Sequence, residues 1–173
     1  MATKVITGKV RFSYAHVFEP SAANEGQEKK YSVSIIIPKS DKGTLKRIQD
    51  AINEALENGK AKFGGKIPKK YKDPLRDGDE EREDDEVYQD AMFVNANSNT
   101  KPGIVDKDLN PIIDKEEFYS GCYGRASLTF YAFNTNGNVG VACGLGNLQK
   151  LEDGESLGGS RSTPDEDFGD SVL

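Results

Sequence analysis

The sequence predicts a mainly β fold with one or two helices, an OB-fold-like five-stranded barrel with a long inserted loop. Three observations lead there. Five segments alternate apolar and polar residues with the period of two that marks a half-buried strand. One segment of about four turns has the helical period instead. The last two strands are joined through Asn136-Gly137, a dipeptide whose ease at positive φ suits a tight hairpin. Strands of this kind with a helix after the second fit a small, partly open barrel better than a parallel α/β sheet, although that helix position is not the commonest for the fold. A chain of 173 residues is expected to build one core.

Each element follows from its pattern. Residues 5–18 place Ile6, Val10, Phe12, Tyr14, His16 and Phe18 on one face and Lys9, Arg11 and Ser13 on the other. Residues 29–37 repeat the signal through Tyr31, Val33, Ile35 and Ile37, and the polar stretch from Glu19 to Gln27 makes the two a long hairpin. From Ser40 to Asn58 the stripe is Leu45, Ile48, Ile52 and Ala55/Leu56; Ser40 or Asp41 can cap its start, and Gly59 suits a left-handed C-terminal position. Residues 60–86 then read as a long mobile loop broken by Gly64-Gly65, Pro68, Pro74 and Gly78. Its first half is basic (Lys60, Lys62, Lys66, Lys69, Lys70, Lys72, Arg76) and contains Phe63 and Tyr71. Its second half is acidic, from Asp77 through Asp79, Glu80, Glu81, Glu83, Asp84 and Asp85 to Glu86. Met92, Val94 and Ala96 mark a strand at 91–97. In residues 121–133 the even positions (Cys122, Ala126, Leu128, Phe130, Ala132) are small or apolar, and Val139, Val141, Cys143 and Leu145 return after the turn.

The hairpin register puts Cys143 opposite Phe130, roughly 25 Å along the strand from Cys122 at about 3.3 Å per residue. A disulfide is out of reach, and two reduced, buried thiols are expected. With one histidine, the chain has no zinc spacing, and no metal or other cofactor is expected. Neither a signal-peptide core after Met1 nor an 18-residue apolar run is visible, so a cytoplasmic protein without membrane contact is expected.

The net charge of −6 is unevenly placed. Residues 152–173 hold seven acids and one base, Arg161, leaving 22 acids and 22 bases elsewhere. A neutral body over 1–151 is therefore followed by an acidic tail over 152–173, Gly/Ser-rich and then charged around one aromatic, Phe168. Such a composition cannot bury enough apolar surface to fold, and disorder is expected. The tail reads either as solubilising disorder or as a recruitment segment, in which Phe168 anchors and Asp165, Glu166, Asp167 and Asp170 complement a basic pocket on a partner. Unoccupied, it would compete for basic surface on the body.

The clearest functional signal is the odd face of 121–133, where Tyr123, Arg125, Tyr131 and Phe133 share one side with only small hydroxyls between them. Aromatic rings stack on nucleic-acid bases of any kind, at about 1–3 kcal/mol each, and arginine adds charge and stacking. The same face reads equally as a second core surface under the helix with Arg125 paired. The lysine-rich stretch suits a flexible clamp on phosphates, or a solvated loop neutralised by its acidic neighbour.

Three enzyme-like signals fail. Gly144-Leu145-Gly146 lacks the third glycine and following helix of a dinucleotide site. Asp77-Gly78-Asp79 has its glycine misplaced for a calcium loop, and the 77–86 acids lack a scaffold for two metals, which speaks against a metal-dependent nuclease. His16 has no Ser, Cys or Asp partner by sequence, so it reads as a packed or base-stacking residue, and no enzyme is expected.

Several segments in one order carry a resemblance: Tyr31-Ser-Val-Ser-Ile-Ile-Ile-Pro-Lys39, Pro74-Leu-Arg-Asp-Gly-Asp79, Phe118-Tyr-Ser-Gly-Cys-Tyr-Gly-Arg-Ala126, and Gly140-Val-Ala-Cys-Gly-Leu145 through Gly154-Glu-Ser-Leu-Gly-Gly159. Over most of residues 4–159 the chain resembles the phage-encoded single-stranded-DNA-binding proteins. The resemblance implies an OB-fold body that binds single-stranded DNA without strong sequence preference in phage replication, recombination or repair, inside the host cytoplasm. The tail is similar to the partner-recruiting tails of bacterial and podoviral single-stranded-DNA-binding proteins, so replication or recombination proteins are the expected protein partners. A homodimer is compatible with this reading. The residues themselves nominate Tyr14, Tyr31, Tyr71, Tyr123 and Tyr131 for bases, and Arg11, Lys30, Lys66, Lys69, Lys70, Lys72 and Arg125 for phosphates. The alternative from another class is a structural or interaction protein, such as a minor virion or scaffold component, whose 121–133 face packs on a partner.

Overall fold

The computed structural model describes residues 3–22, 26 and 28–157. In chain order these form β1 (Lys4–Ile6), β2 (Val10–Ser21), β3 (Lys30–Pro38), α1 (Lys42–Asn58), β4 (Arg76–Asp77), α2 (Gly78–Glu81), β5 (Ala91–Ser98), β6 (Ile104–Val105), β7 (Tyr123–Thr135) and β8 (Asn138–Glu152). Five of the strands close on themselves. β2 pairs antiparallel with β3, β3 with β5 and β7 with β8; β5 runs parallel to β8, and β7 returns to β2. This is the OB-like barrel that the alternation predicts, with β1, β4 and β6 as short additions on β7, β5 and β8. One side of each strand fills the interior: Phe12, Val33, Ile35, Val94, Ala96, Leu128, Phe130, Val141 and Cys143 are all buried there.

The helix α1 closes the barrel with Ile48, Ala51, Ile52, Ala55 and Leu56, packing against β1, β7 and β8. Its start is doubly fixed. Asp41 accepts from the Thr44 amide at 3.1 Å and from the Thr44 hydroxyl at 2.7 Å, and that hydroxyl accepts from Gly8 N–H at 2.9 Å. At the other end Gly59 sits at φ −95, not in the left-handed region expected of it. Its glycine is required for space, because an added Cβ would stand 2.3 Å from the Cβ of Ala132. The final hairpin turns as its sequence predicts, with Asn136 at φ 53 and Gly137 at φ 89, and Cys143 lies opposite Phe130.

Residues 60–86, expected to be a mobile loop, are instead built into the barrel. Phe63, Ile67, Tyr71 and Leu75, one at every fourth position, pack against the core. The parallel pairing of β5 with β8 spans only Ala96/Asn97 against Cys143/Gly144, and the chain from Lys72 to Asp77 fills the space beside it. Lys72 exchanges backbone hydrogen bonds with Val139 and Val141 on β8 at 2.9 and 3.0 Å, while β4 pairs with β5 at Phe93 and Met92. The acidic half then folds over the outer face of β3 and β5. Tyr88 enters a second small core there with Ile36, Ala91 and Phe93.

The expected body boundary after residue 151 falls inside β8. Beyond Glu152 the chain continues along the barrel: Tyr119 Oη donates to the Gly154 carbonyl at 3.0 Å, and Leu157 N–H to the Ser120 carbonyl at 2.8 Å. Residues 152–157 thus belong structurally with the body, and the remainder of the tail lies outside the described residues.

Candidate nucleic-acid interface

The odd side of β7 is not a second core surface under the helix. Helix α1 takes the opposite, even side, so the odd side faces solvent: Arg125 and Tyr131 are exposed, and Tyr123 is half-buried. Arg125 donates through Nε to the Thr7 carbonyl at 3.2 Å and forms no ion pair with a carboxylate among the described residues. Tyr123 and Tyr131 do not form one platform, being eight residues or about 26 Å apart along the strand.

Tyr123 gathers two basic side chains around the start of β2. Arg11 lies 5.2 Å and Lys9 5.3 Å from its ring centroid, contacts favourable to a cation over an aromatic face. Arg11 is also structural: Nε donates to the Gly121 carbonyl at 3.1 Å and Nη2 to the Glu155 carbonyl at 2.9 Å. It therefore holds the chain after β8 while standing beside an aromatic.

Tyr14 is placed by a backbone irregularity that the alternation does not predict. The β2–β3 register shifts between Ser13 and His16, and Tyr14 sits in the left-handed region at φ 48. A bulge of this kind reverses the phase of a strand. Phe12 is inside, Ala15 and Val17 take over the inner side, and Tyr14 is 56% exposed instead of sharing the Phe12 face. With His16, Ser32, Ser34, Asn95 and Arg82 it lines a cleft of about 390 Å³ on the outer face of β2, β3 and β5.

Other nominated residues divide. Tyr31 shares the side of Val33 and Ile35, is half-buried and pairs with Ser98, while Lys30 stands at the strand end opposite Ser21; neither lines the Tyr14 cleft. Tyr71 packs on the core, and burial pushes its hydroxyl pKa up, so its ring differs in role from the lysines around it. Lys66, Lys69, Lys70 and Lys72 are exposed and form no ion pair among the described residues. Three of the acids that follow them are occupied elsewhere: Lys39 bridges Asp77 and Asp79, and Arg76 holds Glu81. Through Lys72 this basic stretch meets β8 at Gly140, whose partner on β7 is Phe133, so the lysines and Tyr131 occupy the same end of the barrel.

Arg82, Ser32 and Asn95 were not legible as site residues. Arg82 is hidden by composition inside an acidic run, and its being the lone base there was the available signal. The nominated tail residues Asp165, Glu166, Asp167, Phe168 and Asp170 lie outside the described residues. Among the described residues no three His, Cys, Asp or Glu side chains come together as a metal site, and no helix is long and apolar enough to cross a membrane.

Comparison with known proteins agrees with this architecture. The barrel is similar to that of the single-stranded DNA-binding protein from bacteriophage Enc34 solved in complex with ssDNA, with a TM-score of 0.80 at 23% identity over 91% of this chain and 90% of that one. It is also similar to gp2.5, a single-stranded DNA-binding protein encoded by bacteriophage T7, with a TM-score of 0.61 at 15% identity over 94% and 99% of the two chains. In sequence, protein p50 of Acyrthosiphon pisum secondary endosymbiont phage 1 is 29% identical over 177 residues, 96% of this chain and 93% of p50. The family model for the Enterobacter phage Enc34 ssDNA-binding protein matches residues 3–172, and with nearly the whole sequence aligned to it the chain belongs to that family of DNA-binding proteins.

Proposed function

We propose that this protein binds single-stranded DNA without strong sequence preference and protects it during phage DNA replication, recombination or repair. The observation that carries the reading is family membership over residues 3–172. The geometry supports it. Exposed Tyr14 and Tyr131, with Tyr123 beside Arg11, offer stacking surfaces that accept any base. Arg125 and the lysines at 66, 69, 70 and 72 offer phosphate contacts whose grip weakens as salt rises. Lys30 and Tyr31, at the start of β3 and outside the Tyr14 cleft, offer one further cation and ring.

Fluorescence anisotropy of a labelled oligonucleotide, competed with its unlabelled copy and with the matching duplex, tests the reading. Single-strand preference and a steep loss of affinity with salt are expected. Equal affinity for both forms, or indifference to salt, contradicts it.

The tail is a separable part of the proposal. Asp165, Glu166, Asp167, Phe168 and Asp170 form a recruitment segment for replication or recombination proteins, and their charge competes with DNA for the basic surface. Deleting residues 160–173 should tighten DNA binding and abolish contact with those partners; no change in either property removes this role.

A further inference from the structure

Arg82 is flanked by Asp79, Glu80, Glu81, Glu83, Asp84, Asp85 and Glu86, yet among the described residues it forms an ion pair with none of them. Its guanidinium lies instead over two aromatic rings, 5.6 Å from the centroid of Tyr88 and 5.4 Å from that of Phe93. Those rings meet edge to face at 5.0 Å and belong to the small outer core. The segment carrying Arg82 is fastened on both sides, by the Tyr88 hydroxyl on Ser34 and by Lys39 on Asp77 and Asp79. A cation held on such a shelf is kept from its acidic neighbours, and its N–H donors stay uncommitted.

Tyr14 lines the same cleft as Arg82. An aromatic residue at φ 48 is a strained choice that surrounding structure must sustain, and here the strain turns a ring outward that strict alternation would have buried. The cleft is also lined by His16 and by neutral hydrogen-bonding groups from Ser32, Ser34 and Asn95. A ring, a free guanidinium and neutral polar groups are the elements a single nucleotide needs: a stacking face, a bidentate phosphate donor, and groups that serve any base edge as donor or acceptor.

We propose that this cleft is a one-nucleotide subsite of the DNA path, in which an unstacked base lies on Tyr14 and Arg82 donates to the adjoining phosphate. The proposal rests on the single-stranded-DNA reading above and adds to it a residue, Arg82, that composition assigns to the acidic side of the molecule. Lys39 acts as a positioning residue, because it anchors the segment from which Arg82 reaches the cleft.

Anisotropy titrations of the full chain with a fluorescein-labelled oligo-dT, repeated over a range of salt, test the subsite. Tyr14→Ala should weaken binding about tenfold. Arg82→Gln should weaken it and reduce the slope of log affinity against log salt by about 0.7, the share of one single-strand phosphate. Arg82→Lys should restore the slope without restoring full affinity, because an ammonium lacks the planar fork. Wild-type binding with Arg82→Gln inside twofold of it and an unchanged slope overturns the subsite alone; failure of the wild type to bind oligo-dT overturns the functional reading beneath it. Photocrosslinking of the wild-type protein to an oligonucleotide bearing 5-iododeoxyuridine avoids any effect of substitution on folding. Crosslinks mapping to Tyr14 or His16 support the subsite, and crosslinks confined to Tyr123 and Tyr131 overturn it.

Discussion

Tyr88 donates its hydroxyl to Ser34 Oγ at 2.9 Å from a ring that is wholly buried. One O–H thus joins the segment folded over the barrel to the outer face of β3, beside the packing of that ring on Phe93. Removing only the hydroxyl, in Tyr88→Phe, should cost about 1 kcal/mol, the net worth of a typical hydrogen bond. Tyr88→Ala should cost about 3–5 kcal/mol, because the ring leaves a cavity that its neighbours fill only in part. Urea unfolding checks both values, and equal losses for the two variants would show that ring packing contributes little.

The same segment should be sensitive to acid. Lys39 Nζ lies 2.9 Å from Asp77 and 2.7 Å from Asp79, and its hydrogen bonds hold both carboxyls below their ordinary value of 3.8. A carboxyl depressed in the folded state contributes stability that is present above its unfolded pKa and is lost as pH falls through the folded one. The contribution should be whole above about pH 5 and fade below the ordinary carboxylate range. Lys39 itself is raised above 10.5 by the same bonds; its share is present below that value and lost only at still higher pH. Melting temperatures from pH 6 to pH 3 should fall less steeply in Lys39→Met than in the wild type. Parallel acid limbs would remove this bridge from the account.

Much of the fold was legible because it depends on periodicity. The inner sides of β3 and β5 follow from Val33/Ile35/Ile37 and Val94/Ala96, and the α1 stripe and Asn136-Gly137 turn read directly from sequence. Local irregularities were not legible. Nothing in Phe12-Ser13-Tyr14-Ala15 announces a bulge, since tyrosine is a poor choice for φ 48 and only the surrounding sheet imposes it. The anchors Phe63, Ile67, Tyr71 and Leu75 are diluted by lysine, glycine and proline, and their burial depends on the space beside β5 and β8, a tertiary fact. The candidate site divides in the same way. Strand phase puts Tyr131 and Arg125 on one side of β7 but leaves open whether that side is exposed, whereas Arg82 depends on which side of an acidic segment meets the barrel.

The two thiols should be inert in the folded protein. Cys122 and Cys143 are free and buried, and desolvation pushes both thiol pKa values up. Because the thiolate is the reactive form, burial and a raised pKa act together against modification. Ellman's reagent at neutral pH should find no fast-reacting thiol in the native protein and two after denaturation. Rapid reaction of the native protein would mean that the barrel opens locally around β7 and β8.

The basic stretch offers the most direct electrostatic prediction. Lys66, Lys69 and Lys70 are exposed and free of ion pairs among the described residues, while the backbone beside them is pinned through Lys72 to β8. Replacing these three by glutamine should leave the melting temperature nearly unchanged, because surface substitutions away from packed features rarely move stability by more than about 0.5 kcal/mol. DNA binding should respond differently. If each lysine neutralises one phosphate of a single strand, the slope of log affinity against log salt should fall by about 2 in the triple variant. The loss should be similar for homopolymers of different base, since charge carries no sequence information. A slope equal to that of the wild type would place the DNA path away from this end of the barrel and confine it to the faces bearing Tyr14 and Tyr123.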